Sequence, residues 1–187
     1  MVYLGDKPLL VGEKVILRPF KDEDFSFIEE CLKDPEVLKL TGSNSDFNQE
    51  ATLHWYNTRN RQTDRLDLAI VDPSKDFLVG EVVINAYDEK NHSMNFRILI
   101  GPRGRDQGLG TEATRLIIDY VFENTTLNPL TLSVFDFNPR AKHVYEKVGF
   151  VLSSIDKNDL EFEGNWIDSI NMNLTRENWL NRRKNDY

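Results

Sequence analysis

The feature that most constrains the fold is a change of pattern near residue 101. Upstream, short runs rich in Val, Ile and Leu are separated by the polar turns Asp72–Lys75 and Asp88–Ser93. Apolar runs of this length between turn residues read as strands in hairpins. Leu66–Val71, Phe77–Tyr87 and Met94–Ile100 are therefore expected to form an antiparallel meander. Downstream the period lengthens. Ala113, Leu116, Ile117, Tyr120 and Val121 recur at helical spacing, so Leu109–Glu123 reads as a helix packed on one face. A strand over Leu130–Phe135 follows. Pro139 then opens a helix, where its missing N–H costs nothing, and Gly149 stops it. Phe150–Ile155 and Asn165–Leu174 read as closing strands, and Arg176–Tyr187 as a polar helix or tail.

Ahead of the meander, Val15–Pro19 reads as a first strand. Helices are expected over Asp22–Lys33 and Asn48–Asn60, with Asp34-Pro35 breaking the first and a polar loop over Gly42–Asp46. Strands alternating with helices after a meander imply an α/β (α+β) fold, with helices on both faces of a mixed, mostly antiparallel sheet of about seven strands. The 187 residues suit one domain, and no repeat or linker divides them.

Composition excludes several functions. The net charge of −8 argues against general nucleic-acid binding, in which phosphate contacts dominate affinity. It fits an amine or other cationic substrate, although solubility alone also accounts for it. No apolar run approaches the roughly 18 residues of a membrane span, and the N-terminus lacks the order of a signal peptide. A cytoplasmic protein is expected. Cys31 is the only cysteine, so no internal disulfide forms. No histidine pair has reliable ligand spacing, and no metal is expected.

Chemistry concentrates between the strand ending at Ile100 and the helix starting near Leu109. In Arg105-Asp106-Gln107-Gly108-Leu109-Gly110-Thr111, the glycines allow a sharp turn and close approach of a ligand. N–H groups at the helix start point into the loop, and the helix dipole adds partial positive charge. Arg103 and Arg105 are expected to add full charge. The combination describes a pyrophosphate cradle. The G-x-G-x-x-G and G-x-x-x-x-G-K-[ST] patterns of other nucleotide loops are absent.

Arg105-x-x-Gly108-x-Gly110 matches the R/Q-x-x-G-x-G/A signature of the GNAT superfamily of N-acetyltransferases. Gly104–Ala113 resembles the branch that includes the Rim-type ribosomal-protein acetyltransferases. Asn138-Pro-Arg-Ala-Lys-His-Val-Tyr145-Glu-Lys-Val-Gly-Phe150 is similar to that branch's second block. The order of elements also fits, over about residues 14–176. The resemblance implies acetyl-CoA as donor, with its pyrophosphate on backbone N–H groups of Arg105–Thr111. It implies a pantetheine arm along Ile98-Leu99-Ile100, where the N–H of Leu99 or Ile100 polarises the thioester carbonyl. Asn138 is expected near the pantetheine or holding the strands apart, and Arg140 near the cofactor. Tyr145 is implied as the general acid for the departing thiolate, although its position also suits a core tyrosine.

The resemblance fails at one point. Relatives often carry a glutamate where this chain has Asn95, which cannot take a proton. Bringing a lysine-like amine to its neutral form at pH 7 costs about 4.6 kcal/mol, against about 1.4 for an α-amine. A chain lacking a strong base is thus expected to favour an α-amine, such as a protein N-terminus. Glu81, on a neighbouring strand, is a candidate substitute base, although its position also suits a solvent-facing residue, and Asp88 and His92 lie in the adjoining turn. On the acceptor side, Lys21–Glu36 holds seven acids and two bases, and Asp156, Asp159, Glu161 and Glu163 follow later. Trp55, Tyr56 and Trp166 are candidate pocket residues. Direct attack of the amine in a ternary complex is expected, from a monomer or homodimer, since Cys31 on an apolar helix face makes a poor covalent carrier. The alternative is an acyl-CoA sensor that kept the cradle and lost catalysis.

Overall fold

The computed structural model describes residues 2–44 and 46–185. Eight strands form one sheet: β1 (Leu10–Val11), β2 (Ile16–Arg18), β3 (Leu66–Asp72), β4 (Phe77–Asp88), β5 (Ser93–Ile100), β6 (Leu130–Phe135), β7 (Val151–Phe162) and β8 (Asn165–Leu174). They lie in the order β1-β2-β3-β4-β5-β6-β8-β7, and every neighbouring pair is antiparallel except β5 and β6. The helices are α1 (Phe25–Lys33), α2 (Pro35–Thr41), α3 (Gln49–Arg59), α4 (Leu109–Asn124), α5 (Pro139–Val148) and α6 (Arg176–Asn185).

Two apolar cores follow from the alternation of strand side chains. Val82, Ile84, Met94 and Phe96 face α4 and α5, among Ala113, Ile117, Val121 and Val148. Ala69, Leu78 and Leu99 face the other way, against Ile28 and Cys31 of α1 and Tyr56 of α3. Helices therefore cover both faces, as expected. α6 docks on α4 through a hydrogen bond from Trp179 Nε1 to Asp119 at 2.6 Å. Asp186 and Tyr187 of the expected tail lie outside the described residues, as does Ser45 of the expected loop.

Three elements differ from expectation. The sheet gains a strand, β1, whose two residues are too few to show a period. Asp34-Pro35 ends α1 but also starts α2: Asp34 accepts the Val37 N–H at 3.0 Å, Pro35 takes the first helical position, and Gly42 closes the helix at φ +64°. β7 runs on to Phe162 rather than ending near Ile155. It is an edge strand with no buried residue and two register shifts against β8, so it lacks the apolar alternation that marks a strand.

The parallel pair positions the site. β5 and β6 pair only at Met94–Leu130 and Asn95–Thr131. Beyond these residues β6 keeps β8 on its far side, and Phe96–Ile100 have no partner toward β6 among the described residues. The sheet is split by a wedge that opens toward Ile100 and Phe135.

Candidate active site

Polar groups of alternate residues in a strand point to opposite sides, so two bonds fix the direction along β5. The Met94 carbonyl accepts from the Thr131 hydroxyl of β6 at 3.3 Å, and the Gly101 N–H donates to Val79 of β4 at 2.8 Å. The N–H and C=O groups of Phe96, Ile98 and Ile100 thus face the wedge. Those of Leu99 face β4, which corrects the expectation that Leu99 could polarise a carbonyl. Its side chain instead lines the opposite, α1–α3 face.

The loop after β5 is held in part by bonds within itself. The Gly104 N–H donates to the Gly101 carbonyl at 3.1 Å, and Gln107 Nε2 to the Arg103 carbonyl at 3.0 Å. Asp106 and Gly108 have positive φ (+61° and +74°), a conformation that suits glycine at 108. Glu112 is the first residue of α4 whose N–H finds a carbonyl, that of Gly108 at 3.4 Å. The N–H groups of Leu109, Gly110 and Thr111 form the helix's open positive end. A Cβ at Gly110 would touch Ile98 and Ile100 at 3.5–3.9 Å, so the helix start and the wedge strand are in van der Waals contact.

The charges around this cradle are not those expected. Arg103 pairs with Glu30 at 2.8 Å and lies over Phe27 and Phe77. Arg105 bonds Asp34, and Glu36 at 3.1 Å. Burial tends to raise the Asp34 carboxyl, but the hydrogen bonds from Arg105 and the Val37 N–H outweigh it and hold it below its ordinary value. Both arginines tie the loop to α1 and α2 instead of leaving free charge. The cations that reach the loop are Lys14, Arg140 and Lys75, whose Nζ lies 3.5 Å from Gln107 Oε1. Glu112 accepts the N–H groups of Glu13, Lys14 and Val15 at 2.7–3.0 Å. That clamp brings Lys14 Nζ to 3.2 Å from the position a Gly108 Cβ would take. Arg140, at the start of α5, reaches Asp106 at 2.9 Å in an exposed pair. Nothing in the sequence signals Lys14, because the clamp joins segments almost a hundred residues apart.

α5 brings Tyr145 beside the wedge. Its ring packs edge-on against Phe96 (5.9 Å) and Phe150 (6.0 Å), and its hydroxyl has no hydrogen-bond partner among the described residues. Burial pushes the phenol up to about 12. Asn138 does not hold the strands apart through its side-chain oxygen. That oxygen accepts the Ala141 N–H at 3.2 Å and caps α5.

Glu81 occupies the other face, opposite Leu99 in the β4–β5 register. It is buried, accepts from the Tyr56 hydroxyl at 2.6 Å and pairs with Arg59 at 3.0 Å. Arg59 also pairs with the fully buried Asp67. Burial and the Glu81 charge push the Tyr56 phenol well above its usual value. Ile28, Cys31, Tyr56, Gly80, Glu81 and Leu99 surround a cavity of about 10 Å³ open to a water's centre, close to the limit for one water. Cys31 packs onto Gly101 and burial pushes its thiol up to about 12, which leaves it a thiol rather than a nucleophile. Asn95, at the apex of the wedge, donates to Asn85 at 3.1 Å. His92 sits in a turn between Tyr87 and Thr126, Trp55 lies under Arg65, and Trp166 is exposed.

The Acetyltransferase (GNAT) domain model matches residues 14–151. The Escherichia coli K12 spermidine N(1)-acetyltransferase is 27% identical over 175 residues, 92% of each chain. The mouse alpha/beta-tubulin-N-acetyltransferase 9 is 26% identical over 162 residues, 79% of this chain and 66% of the relative. The crystal structure of the Vibrio cholerae spermidine N-acetyltransferase in complex with CoA and spermine superposes with a TM-score of 0.81 at 21% identity, covering 90% of this chain and 99% of that one. Among the described residues no helix is long and apolar enough to cross a membrane.

Proposed function

Because the chain belongs to the GNAT acetyltransferase family and is an acetyl-CoA-dependent N-acetyltransferase, we propose that its acceptor is a primary amine of a small polyamine. The observation that carries the site assignment is the wedge: β5 leaves the backbone of Phe96, Ile98 and Ile100 unpaired beside an open helix N-terminus. An extended pantetheine arm pairs there as an added strand, with its pyrophosphate on Leu109–Thr111 and Lys14 and Arg140 alongside. The N–H of Ile98 or Ile100 receives the thioester oxygen as it gains charge.

Tyr145 and Glu81 lie on opposite faces of the sheet, at the flanks of that arm. The amine approaches from the α1–α3 face and attacks the carbonyl carbon. Glu81 takes its proton through the water-sized cavity, while Tyr145 gives its hydroxyl proton to the sulfur. A phenol at about 12 is above a thiol at about 8.5, so complete transfer is uphill by about 5 kcal/mol. The proton therefore moves as the C–S bond breaks. An aliphatic amine near pKa 10.4 must shed about 4.6 kcal/mol worth of protonation at pH 7, which gives a carboxylate on the acceptor face a task that Asn95 cannot perform.

The test is free-thiol release from acetyl-CoA across monoamines, polyamines, aminoglycosides and peptide α-amines, the last being the acceptor that the Rim-type resemblance implies. Polyamines should give the highest kcat/KM, and preference for peptide α-amines would reject the polyamine reading. Glu81→Gln should cost about 10²-fold at pH 7, and the deficit should shrink as pH rises toward the amine pKa. A deficit independent of pH would make Glu81 purely structural.

A further inference from the structure

Phe137, in the connection from β6 to α5, and Phe162, at the end of β7, meet edge to face with ring centres 5.6 Å apart. Phe135, the last residue of β6, abuts Phe137 in the same manner at 5.6 Å. The cluster stands at the open end of the wedge, where β6 turns toward the helix that holds Tyr145. α2 closes onto it: a Cβ at Gly42 would lie 2.9 Å from the Phe135 ring. From that helix Lys39 extends its ammonium over Phe137 at 5.3 Å and over Phe162 at 5.8 Å.

This ammonium is held by ring faces alone. Lys39 forms no ion pair or hydrogen bond among the described residues, although the neighbouring hairpin from Val151 to Leu174 holds five acids against one base. Aromatic faces within about 6 Å attract any alkylammonium, whichever molecule supplies it. Acids around them raise the local concentration of cations.

We propose that Phe137 and Phe162 form a subsite for the second ammonium of a di- or polyamine acceptor, and that Lys39 fills it until such an acceptor displaces it. The inference rests on the amine-acceptor reading and adds a determinant of charge number. A monoamine reaches the thioester without using this subsite, whereas a diamine gains a second anchor after expelling Lys39. The lysine is then an internal competitor for the acceptor.

Two measurements on the full chain test this. The first compares KM for spermine, putrescine and a monoamine of similar length in wild type, Lys39→Met and Phe162→Leu, with melting temperature and KM for acetyl-CoA as controls. Lys39→Met should lower KM for the two polyvalent amines about two- to fivefold, the size of an exposed cation–aromatic contact. Phe162→Leu should raise it by a similar factor, and neither should alter the monoamine. Equal shifts for all three amines, or none, would overturn the proposal. The second is calorimetric binding of spermine, which needs no turnover. If wild type acetylates no amine, the acceptor reading fails. Tighter spermine binding to Lys39→Met would still support the subsite, and unchanged binding would overturn it.

Discussion

The two sides of the wedge are built by different means. The donor side is built mainly of backbone: unpaired strand groups in β5, a loop held by its own bonds and by Arg103 and Arg105 to α1 and α2, and the bare end of α4. The acceptor side consists of side chains from distant segments, with Arg59 of α3 clamping Asp67 of β3 and Glu81 of β4 beneath Tyr56. Backbone chemistry is the same in every residue, so the donor side depends on conformation and tolerates change in most side chains. The acceptor side depends on particular charges.

That contrast fixes what substitutions should do. The largest expected effect is on the acceptor side. Arg59→Met leaves the buried Glu81 with the Tyr56 hydroxyl but no cation, and Asp67 with Arg65 alone; breaking a buried pair costs about 3–5 kcal/mol. Urea unfolding should show a loss of that size. A loss below about 1 kcal/mol would mean that the buried network contributes no more than a surface pair, and the two sides would no longer differ in kind.

On the donor side the sensitive point is a conformation. Gly108 lies at φ +74°, where an L-residue costs about 1–2 kcal/mol. Gly108→Ala should weaken acetyl-CoA binding about tenfold by calorimetry, through a reshaped loop, with polyamine binding unaffected. Equal weakening of both ligands would show that the two sides are coupled.

The same contrast explains what was legible in the sequence. Gly108, Gly110 and Tyr145 stand in contiguous blocks whose spacing reflects local geometry, and the elements carrying them lie close to where periodicity places them. Contacts between remote segments leave no such trace. Arg103 and Arg105 stand beside the cradle in sequence, yet in the fold they turn to Glu30, Asp34 and Glu36. Lys14 approaches only because Glu112 gathers three N–H groups of its loop. Leu99 falls within the right strand, but the direction of its N–H depends on the parity set by Thr131 and Val79. Glu81 was identifiable as a carboxylate on a neighbouring strand and Tyr56 as a pocket candidate, but the Arg59 that joins Glu81 to Asp67 beneath Tyr56 was not, because α3 has a weak apolar period and shows no face.

The proposed mechanism places acetyl transfer to a polyamine in this wedge, with Tyr145 supplying the proton. The most direct measurement is thiol release at saturating acetyl-CoA and spermidine for wild type and Tyr145→Phe, with the acetyl-CoA Kd of each. Wild type should turn over, and the variant should bind acetyl-CoA equally well while kcat falls about 10²-fold. A variant as active as wild type would remove Tyr145 from the chemistry, and wild type that binds acetyl-CoA but releases no thiol with spermidine would contradict the account.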